Sequence, residues 1–269
     1  MELYYIDKKF SIEAFFSAFS FKWDSKFVFN GECHAPWEAV FITEGCVGVT
    51  EDEKIYKLKA GDMILHAPME FHRIRSIDGS SPRGIIMSFL VSGELPKELK
   101  NGIFALDDEQ KREYEAIFQK IRPIIINAEH SQYASLDAAA SLTSFLIRLG
   151  ENEHAQKHTI STQSAVEYKK VVSMMKEGVC ANLTLDAIAQ SCNVSVSYVK
   201  LLFKKYSGIS PKTYYSNMRL RHACELLDSG MAVSEVSSTM RFSSPNYFCV
   251  FFKRSMNISP SEYQKKTEH

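Results

Sequence analysis

The chain has 269 residues, more than one domain usually contains, and this length predicts two domains with separate cores. Hydrophobic residues make up 45% and charged residues 24%, values typical of a globular protein that exclude a disordered or fibrous chain. The formal net charge is zero, but residues 162–269 hold 14 of the 32 Lys and Arg and only 8 of the 32 Asp and Glu. Such a basic part fits a solvated surface and a phosphate-binding one equally well, so the motifs have to decide.

Residues 1–10 lack a basic segment followed by an apolar one, and no run of about 18 apolar residues occurs in the chain. We therefore expect a cytoplasmic protein without a membrane span. The six cysteines lack Cys-x-x-Cys spacing, which is typical of reduced thiols in a chain of this size.

From Lys26 to about Val91, short runs of β-branched and aromatic residues alternate with turn residues. Many short strands at this spacing predict a small antiparallel barrel. The clearest predicted strands are residues 27–29, 39–42, 47–49, 55–58 and 85–89.

Two amphipathic helices are predicted next, because apolar residues recur at helical intervals over residues 114–125 and 142–149. We expect Pro123 to kink the first helix or to end it early. Residues 150–162 have no apolar periodicity and are typical of a linker.

The remaining sequence contains an internal duplication. Residues 188–214 align with residues 236–263 at a shift of 48, which becomes 49 after one extra residue in the second copy. Both copies contain a Phe followed by two basic residues and then Ile-Ser-Pro-x-x-Tyr. Two unrelated helix pairs would not share so many matches in order, so we infer a duplicated helical unit.

The first copy carries the start and stop signals of a helix-turn-helix. Thr184 is placed to cap a helix over residues 185–191, Asn193 falls in the turn, and Ser195 is placed to cap a second helix ending near Tyr206. This geometry presents a second helix to the major groove of DNA.

A helix over residues 214–227 is long enough to place the two copies one duplex turn apart. In each second helix one face is predicted to be core, formed by Val199, Leu202, Phe203 and Tyr206 and by Tyr247, Phe248, Phe251 and Phe252. The side chains expected to reach base edges are Val196, Ser197, Lys200, Pro245, Asn246 and Cys249. The side chains expected to contact phosphates are Lys204, Lys205, Lys253 and Arg254.

These residues resemble the AraC/XylS family of transcription regulators over about 100 residues. The matching motifs are Phe203-Lys204-Lys205, Gly208-Ile209-Ser210-Pro211, Arg219-Leu220 with Ala223 and Leu226-Leu227, Phe242-Ser243, Tyr247-Phe248, Phe252-Lys253, and Ile258-Ser259-Pro260 with Tyr263. Arg241 and Asn257 stand where the family usually has Gly, and Leu201 and Val250 stand where it often has Arg. The two lost arginines argue against guanine contacts from those positions.

The resemblance implies an amino-terminal domain that binds an effector or forms a dimer, commonly a cupin barrel. His34, Glu38, Gly45, Gly61-Asp62, Pro68 and His72 are similar to a degenerate cupin pattern, with Pro36 in the place of the second His. Three ligands suffice for a metal, but we expect a small-molecule pocket and no metal or cofactor. The candidate effector-binding residues are His34, Trp37, Glu38, His72 and Arg73.

The sequence therefore predicts a two-domain α+β protein. It begins with a cupin-like barrel and two following helices (residues 1–150). A linker (151–162) leads from there to an all-α double helix-turn-helix domain (163–269). We expect a DNA-binding transcription regulator responding to a sugar or polar metabolite, without enzyme activity or membrane attachment. We also expect a homodimer formed through residues 107–149, with RNA polymerase as a further partner.

Two alternatives stay open. One is a cupin-type metalloenzyme with an accessory DNA-binding domain, and the other is a constitutive regulator whose barrel only dimerises.

Overall fold

The computed structural model describes residues 9–100, 102–126, 132–151 and 161–267. The chain divides into two compact units, residues 1–51 with 55–160 and residues 52–54 with 161–269. We call the described part of the first the β-unit and that of the second the helical unit. Most of the predicted linker, residues 152–160, lies outside the described residues.

The β-unit contains two antiparallel sheets. Its strands are β1 (Phe10–Lys22), β2 (Trp37–Glu44), β3 (Cys46–Glu51), β4 (Lys54–Lys59), β5 (Asp62–His66), β6 (His72–Ser76), β7 (Arg83–Gly93) and β8 (Ile103–Ala105). The five-stranded sheet has the order β1-β7-β2-β5-β8 and the three-stranded sheet the order β4-β3-β6. Successive side chains of each strand point to opposite faces, and the five-stranded sheet is buried on both faces.

One buried face of the five-stranded sheet packs against the three-stranded sheet. Val40, Ile64 and Ile86 from the larger sheet share a core there with Val49 and Ile74 from the smaller one.

The opposite face packs against two helices, α1 (Asp108–Ile126) and α2 (Gln132–Glu151). The Tyr114 hydroxyl on α1 donates to the Ala39 carbonyl on β2 at 3.0 Å, which fixes the helix to the sheet. Both predicted helices are confirmed. Contrary to the expectation of an early end, α1 continues three residues past Pro123.

The strand predictions were incomplete. Strand β1 was missed because two register shifts, between Ile12 and Ala14 and between Phe15 and Ser17, interrupt its alternation of apolar and polar residues. Residues 27–29, predicted as a strand, contain only an isolated bridge between Val28 and Arg75.

Apart from residues 52–54, the described part of the helical unit consists of helices and the turns between them. They are α3 (Gln163–Glu177), α4 (Leu185–Cys192), α5 (Val196–Tyr206), α6 (Pro211–Asp228), α7 (Val233–Thr239), α8 (Pro245–Met256) and α9 (Pro260–Thr267). Tyr168 of α3 and Tyr214 of α6 both pack against Phe203 of α5, with ring centroids 5.2 and 5.1 Å away. Among the described residues, no helix is both long and apolar enough to cross a membrane.

Candidate nucleic-acid interface and ligand site

Helices α4 and α5 form the first helix-turn-helix, as predicted. The Thr184 side chain accepts from the Ala187 amide, and the Ser195 side chain accepts from the Tyr198 amide, so each helix begins at a capped end. Asn193 ends α4 with a φ of 58°, in the left-handed region that Asn tolerates.

Helices α7 and α8 form the second helix-turn-helix. Ser244 caps α8 by accepting from the Tyr247 amide, which leaves Asn246 free of the capping role. The turn before it has Arg241 at a φ of 52°, where the corresponding residue of the first unit is Asn193.

Helix α6 joins the two helix-turn-helix units. It is one turn longer than predicted, because Ser210 caps it and Pro211 occupies its first position. Arg219 on α6 is buried and makes contacts toward both units. Its guanidinium donates to the Asn182 side chain and the Met240 carbonyl, and it lies 4.4 Å from the centroid of the Phe242 ring. In the sequence Arg219 stands out only as a motif residue, whereas in the structure it bridges the segment just before the first helix-turn-helix unit and residues of the second.

The outward faces of α5 and α8 carry the predicted base-contacting residues. Ser197 and Lys200 on α5 and Pro245 and Asn246 on α8 are exposed, while Val196 and Cys249 are partly buried. The predicted phosphate-contacting residues Lys204, Lys205, Lys253 and Arg254 are all exposed. The Lys205 ammonium donates to Ser164 on α3 at 2.8 Å and is the most constrained of these four.

The predicted core set needs two corrections, since Phe251 is only partly buried. Tyr247 is 59% exposed, since it lies only one turn into α8 beside the capping serine. Leu201 and Val250 are also exposed, 57% and 65%, so each recognition helix displays an aliphatic side chain to solvent.

The β-unit contains a cluster of acids and imidazoles at one end of the space between its sheets. Glu38 lies opposite His66 across β2 and β5 and opposite Ser88 across β2 and β7, and Glu51 lies opposite His72 across β3 and β6. Residues opposite one another in antiparallel strands point to the same face, so all five point into the interior.

The first group of this cluster is Glu32, His34, Glu38 and His72, whose ligand atoms all lie within 4.8 Å of one another. We call His34, Glu38 and His72 the ligand triad. The Nε2 atoms of His34 and His72 lie 3.5 and 3.4 Å from the Glu38 carboxylate oxygens. Glu32 was not among the predicted ligands, because it lies outside the cupin pattern, in which Pro36 replaces the second histidine.

The orientation of both triad imidazoles is fixed by the backbone. Nδ1 of His34 lies 2.9 Å from the Pro36 carbonyl, and Nδ1 of His72 lies 3.1 Å from the Glu70 carbonyl. A carbonyl only accepts, so each Nδ1 carries the proton and each Nε2 faces the carboxylates. Outer-sphere bonds of this kind orient histidines that bind metals, so the group fits a divalent ion as well as a polar organic ligand.

Electrostatics couples the triad. Burial raises the pKa of the Glu38 carboxyl, but hydrogen bonds from His34 and His72 outweigh burial and hold that pKa well below its usual range. Burial lowers the pKa of His34, but Glu38 and Glu32 raise it by more, and the net pKa lies above its ordinary value. These pKa shifts favour a carboxylate at Glu38 beside a protonated imidazole at His34.

Two predicted effector residues do not join the triad. Trp37 lies in the core between the five-stranded sheet and α1 and α2, one position out of phase with Glu38. Arg73 is one position out of phase with His72, and its Nε donates to the Phe29 carbonyl at 3.2 Å. Successive side chains of a strand point to opposite faces, so neither lines the space that holds the triad.

A second group, Glu51, His66 and Glu70, also has its ligand atoms within 4.8 Å of one another, and sequence analysis missed all three residues. Glu51 belongs to the three-stranded sheet and His66 to the five-stranded sheet, so their spacing along the chain gives no signal. Only the face-to-face packing of the two sheets brings them together.

Comparison with known proteins agrees with the duplicated helical pattern. The family described as a helix-turn-helix domain matches residues 188–266. The uncharacterized HTH-type transcriptional regulator YijO of Escherichia coli K12 is 29% identical over 151 residues, 56% of this chain and 52% of that protein. The Msm operon regulatory protein of Streptococcus mutans is 25% identical over 236 residues, 85% of this chain and 84% of that protein.

A solved transcriptional regulator with an AraC-type DNA-binding domain, from Chromobacterium violaceum, is 30% identical, with 39% of this chain and 94% of that chain covered and a TM-score of 0.36. The chain spans about half the length of the Escherichia coli relative that it matches. The match over 188–266 coincides with α4 to α9, which hold both helix-turn-helix units. Residues 188–266 therefore form a helix-turn-helix DNA-binding domain of the AraC type.

Proposed function

We propose that the chain binds specific duplex sites through α5 and α8, placed in successive major grooves, and regulates transcription in response to a small effector. The observation that supports this most directly is the repeated outward surface of the two helices. Ser197 and Lys204 on α5 correspond to Asn246 and Lys253 on α8, and all four are exposed.

The two kinds of side chain have different roles in this proposal. Asn246 and Lys200 lie early on their helices, where they reach base edges, and their groups suit adenine and guanine respectively. Lys204 and Lys253 lie later, where the groove wall brings phosphates nearer than bases.

We propose the ligand triad as the effector site of the β-unit. The side chain of His34 is 21% exposed and that of Glu32 48%, so a small molecule has access to groups that are otherwise enclosed. Carboxylate and imidazole groups favour a polar ligand with hydroxyl groups, such as a sugar. Trp37 and Arg73 do not belong to this site, because their side chains point to the opposite faces of their strands.

A second candidate is a cupin-type metal centre at the same place, favoured by the Nε2 atoms of His34 and His72 facing Glu38. Metal lost on His72→Ala, together with turnover of a substrate, would support the enzyme over the sensor.

We propose that the chain dimerises through α1 and α2. Ile126, Tyr133, Leu136 and Ile147 on these helices are 64%, 83%, 59% and 45% exposed. A groove of about 560 Å³ between β1 and the two helices adjoins Leu136. Exposed apolar surface of this kind is typical of a protein interface.

The test uses the full chain and a pool of random duplexes. Repeated selection should enrich one sequence with two half-sites about one helical turn apart. Polar metabolites should then be screened for a rise in melting temperature, because a ligand that binds only the folded state stabilises it. Failure to enrich any duplex would refute the proposal, and enrichment without any stabilising metabolite would favour a constitutive regulator.

A further inference from the structure

A second group of buried acidic and imidazole side chains in the β-unit lies outside the proposed effector site. We call Glu51, His66 and Glu70 the inner triad. Their relative exposures are 1%, 0% and 6%, so all three are enclosed. They come from the end of β3, the end of β5 and the turn before β6, and their ligand atoms lie within 4.8 Å of one another.

The inner triad is held in place from several sides. His66 Nδ1 lies 3.6 Å from Glu51 Oε1, and the ring of His66 stacks on that of His72 with centroids 4.4 Å apart. Glu70 Oε2 accepts from the Ala67 amide at 3.0 Å. Met69 occupies the left-handed region at a φ of 58°, and its amide donates to the His34 carbonyl, which anchors the turn that carries Glu70.

Two carboxylates enclosed this closely repel one another and lose their hydration, which is unfavourable for both buried charges. A divalent cation bound among the three groups would offset both carboxylate charges. We propose that the inner triad binds one divalent transition-metal ion. An imidazole with two carboxylates suits Zn²⁺ or Mn²⁺, and bonds of about 2 Å need the donors to close by less than about 1 Å.

This site is distinct from the ligand triad but adjoins it. Because His66 stacks on His72, an ion on the inner triad would hold the ring of His72 in its present orientation. We therefore assign the ion a structural role that keeps the neighbouring triad ordered.

The experiment measures metal content and melting temperature of the untagged full chain after chelator treatment and addition of Zn²⁺ or Mn²⁺. We expect one tightly held equivalent and a rise in melting temperature. Glu51→Gln with His66→Asn should abolish both effects, whereas His34→Asn, which alters only the ligand triad, should retain them.

Two results would overturn the proposal. One is the absence of bound metal or of any melting shift in the wild-type chain, which would leave a buried ion-pair network only. The other is metal lost in His34→Asn and kept in the double variant. Should the double variant fail to fold, anomalous scattering from metal-soaked wild-type crystals decides, since a peak anywhere other than among Glu51, His66 and Glu70 refutes the assignment.

Each of the two recognition helices, α5 and α8, also exposes one aliphatic side chain on its outward face. Leu201 on α5 and Val250 on α8 are 57% and 65% exposed and occupy equivalent positions of the duplication. Each lies one helical turn from a predicted base-contacting residue and one turn from a basic residue, on the outward face of its helix.

An aliphatic side chain has no hydrogen-bonding group, and its complement in the major groove is the C5 methyl group of thymine. We infer that Leu201 and Val250 each contact a thymine methyl, one in each half-site. This inference rests on the proposed function, in which α5 and α8 enter successive major grooves.

Deoxyuridine substitution tests it, because it removes only the methyl group. In the duplex enriched by selection with the full chain, one substituted thymine in each half-site should weaken binding about fourfold. Val250→Ala should abolish sensitivity at one of them and leave the other, which depends on Leu201, unchanged. If no uridine substitution weakens binding to the enriched duplex, the inference is wrong. If no duplex is enriched, the proposed function fails instead.

Discussion

The two helix-turn-helix units share a backbone scaffold but differ in the side chains at two pairs of equivalent positions. Both second helices are capped by a serine, Ser195 or Ser244, and both turns contain a residue at positive φ. The turn residue is Asn193 in the first unit and Arg241 in the second, and the outward position that holds Ser197 in one holds Asn246 in the other. The backbone is thus alike in the two units, whereas the outward surface that we propose to contact bases differs, as two half-sites of different sequence would require.

The prediction with the largest expected effect is that the two helix-turn-helix units bind DNA together as one domain. Residues 161–269 alone should bind duplex DNA, because both recognition helices and their core lie in this segment. Four basic residues on phosphates should lower affinity on the order of a hundredfold between 50 and 200 mM salt. These basic residues are Lys204, Lys205, Lys253 and Arg254. Measuring affinity against salt checks this, and an affinity that does not depend on salt would contradict it.

The comparison also shows what sequence could predict. Helix caps such as Thr184, Ser195 and the left-handed Asn193 depend on a few neighbouring residues, so they could be located in advance. The acid and imidazole cluster depends on which strands pair and in what register. The proximity of Glu51 and His66 therefore could not be predicted from their spacing along the chain.

The second prediction concerns the divergent outward position. Asn246→Ala should cost about 1 to 3 kcal/mol on the enriched duplex and little on random DNA, because it removes a bidentate contact to one base. The matched control, Ser197→Ala, removes a shorter side chain from the first unit and should relax preference at a different position. Competition binding with single-base variants of the duplex measures both. Unchanged preference in Asn246→Ala would refute the base contact.

The third prediction tests whether the two caps are equivalent. Ser244→Ala should lower the free energy of unfolding by about 1 kcal/mol, because the amide of Tyr247 loses its acceptor. Ser195→Ala removes the bond from the Tyr198 amide and should cost a similar amount. Denaturant unfolding measures both values. A clear loss from Asn246→Ala with none from Ser244→Ala would instead make Asn246 the cap.

The fourth prediction separates phosphate contacts from base contacts. Lys253→Ala should weaken binding to every sequence alike and flatten the slope of log affinity against log salt by about one unit. Lys204→Ala is the matched change in the first unit and should act equally. A variant that changed base preference but left the salt slope intact would contradict the assignment of these lysines to phosphates.

The smallest expected effect tests the residues in the two turns. A side chain in the left-handed region costs about 1 to 2 kcal/mol, and glycine avoids this cost but loses about 0.5 to 1 kcal/mol in backbone entropy on folding. Arg241→Gly should therefore raise the free energy of unfolding by about 0.5 to 1 kcal/mol, since Arg241 has a φ of 52°. Asn193→Gly should change it little, although Asn193 has a φ of 58°, because asparagine tolerates this conformation. Equal gains in the two variants would mean that the second turn is no more strained than the first, and a loss in Arg241→Gly would mean that the arginine side chain contributes more than its conformation costs.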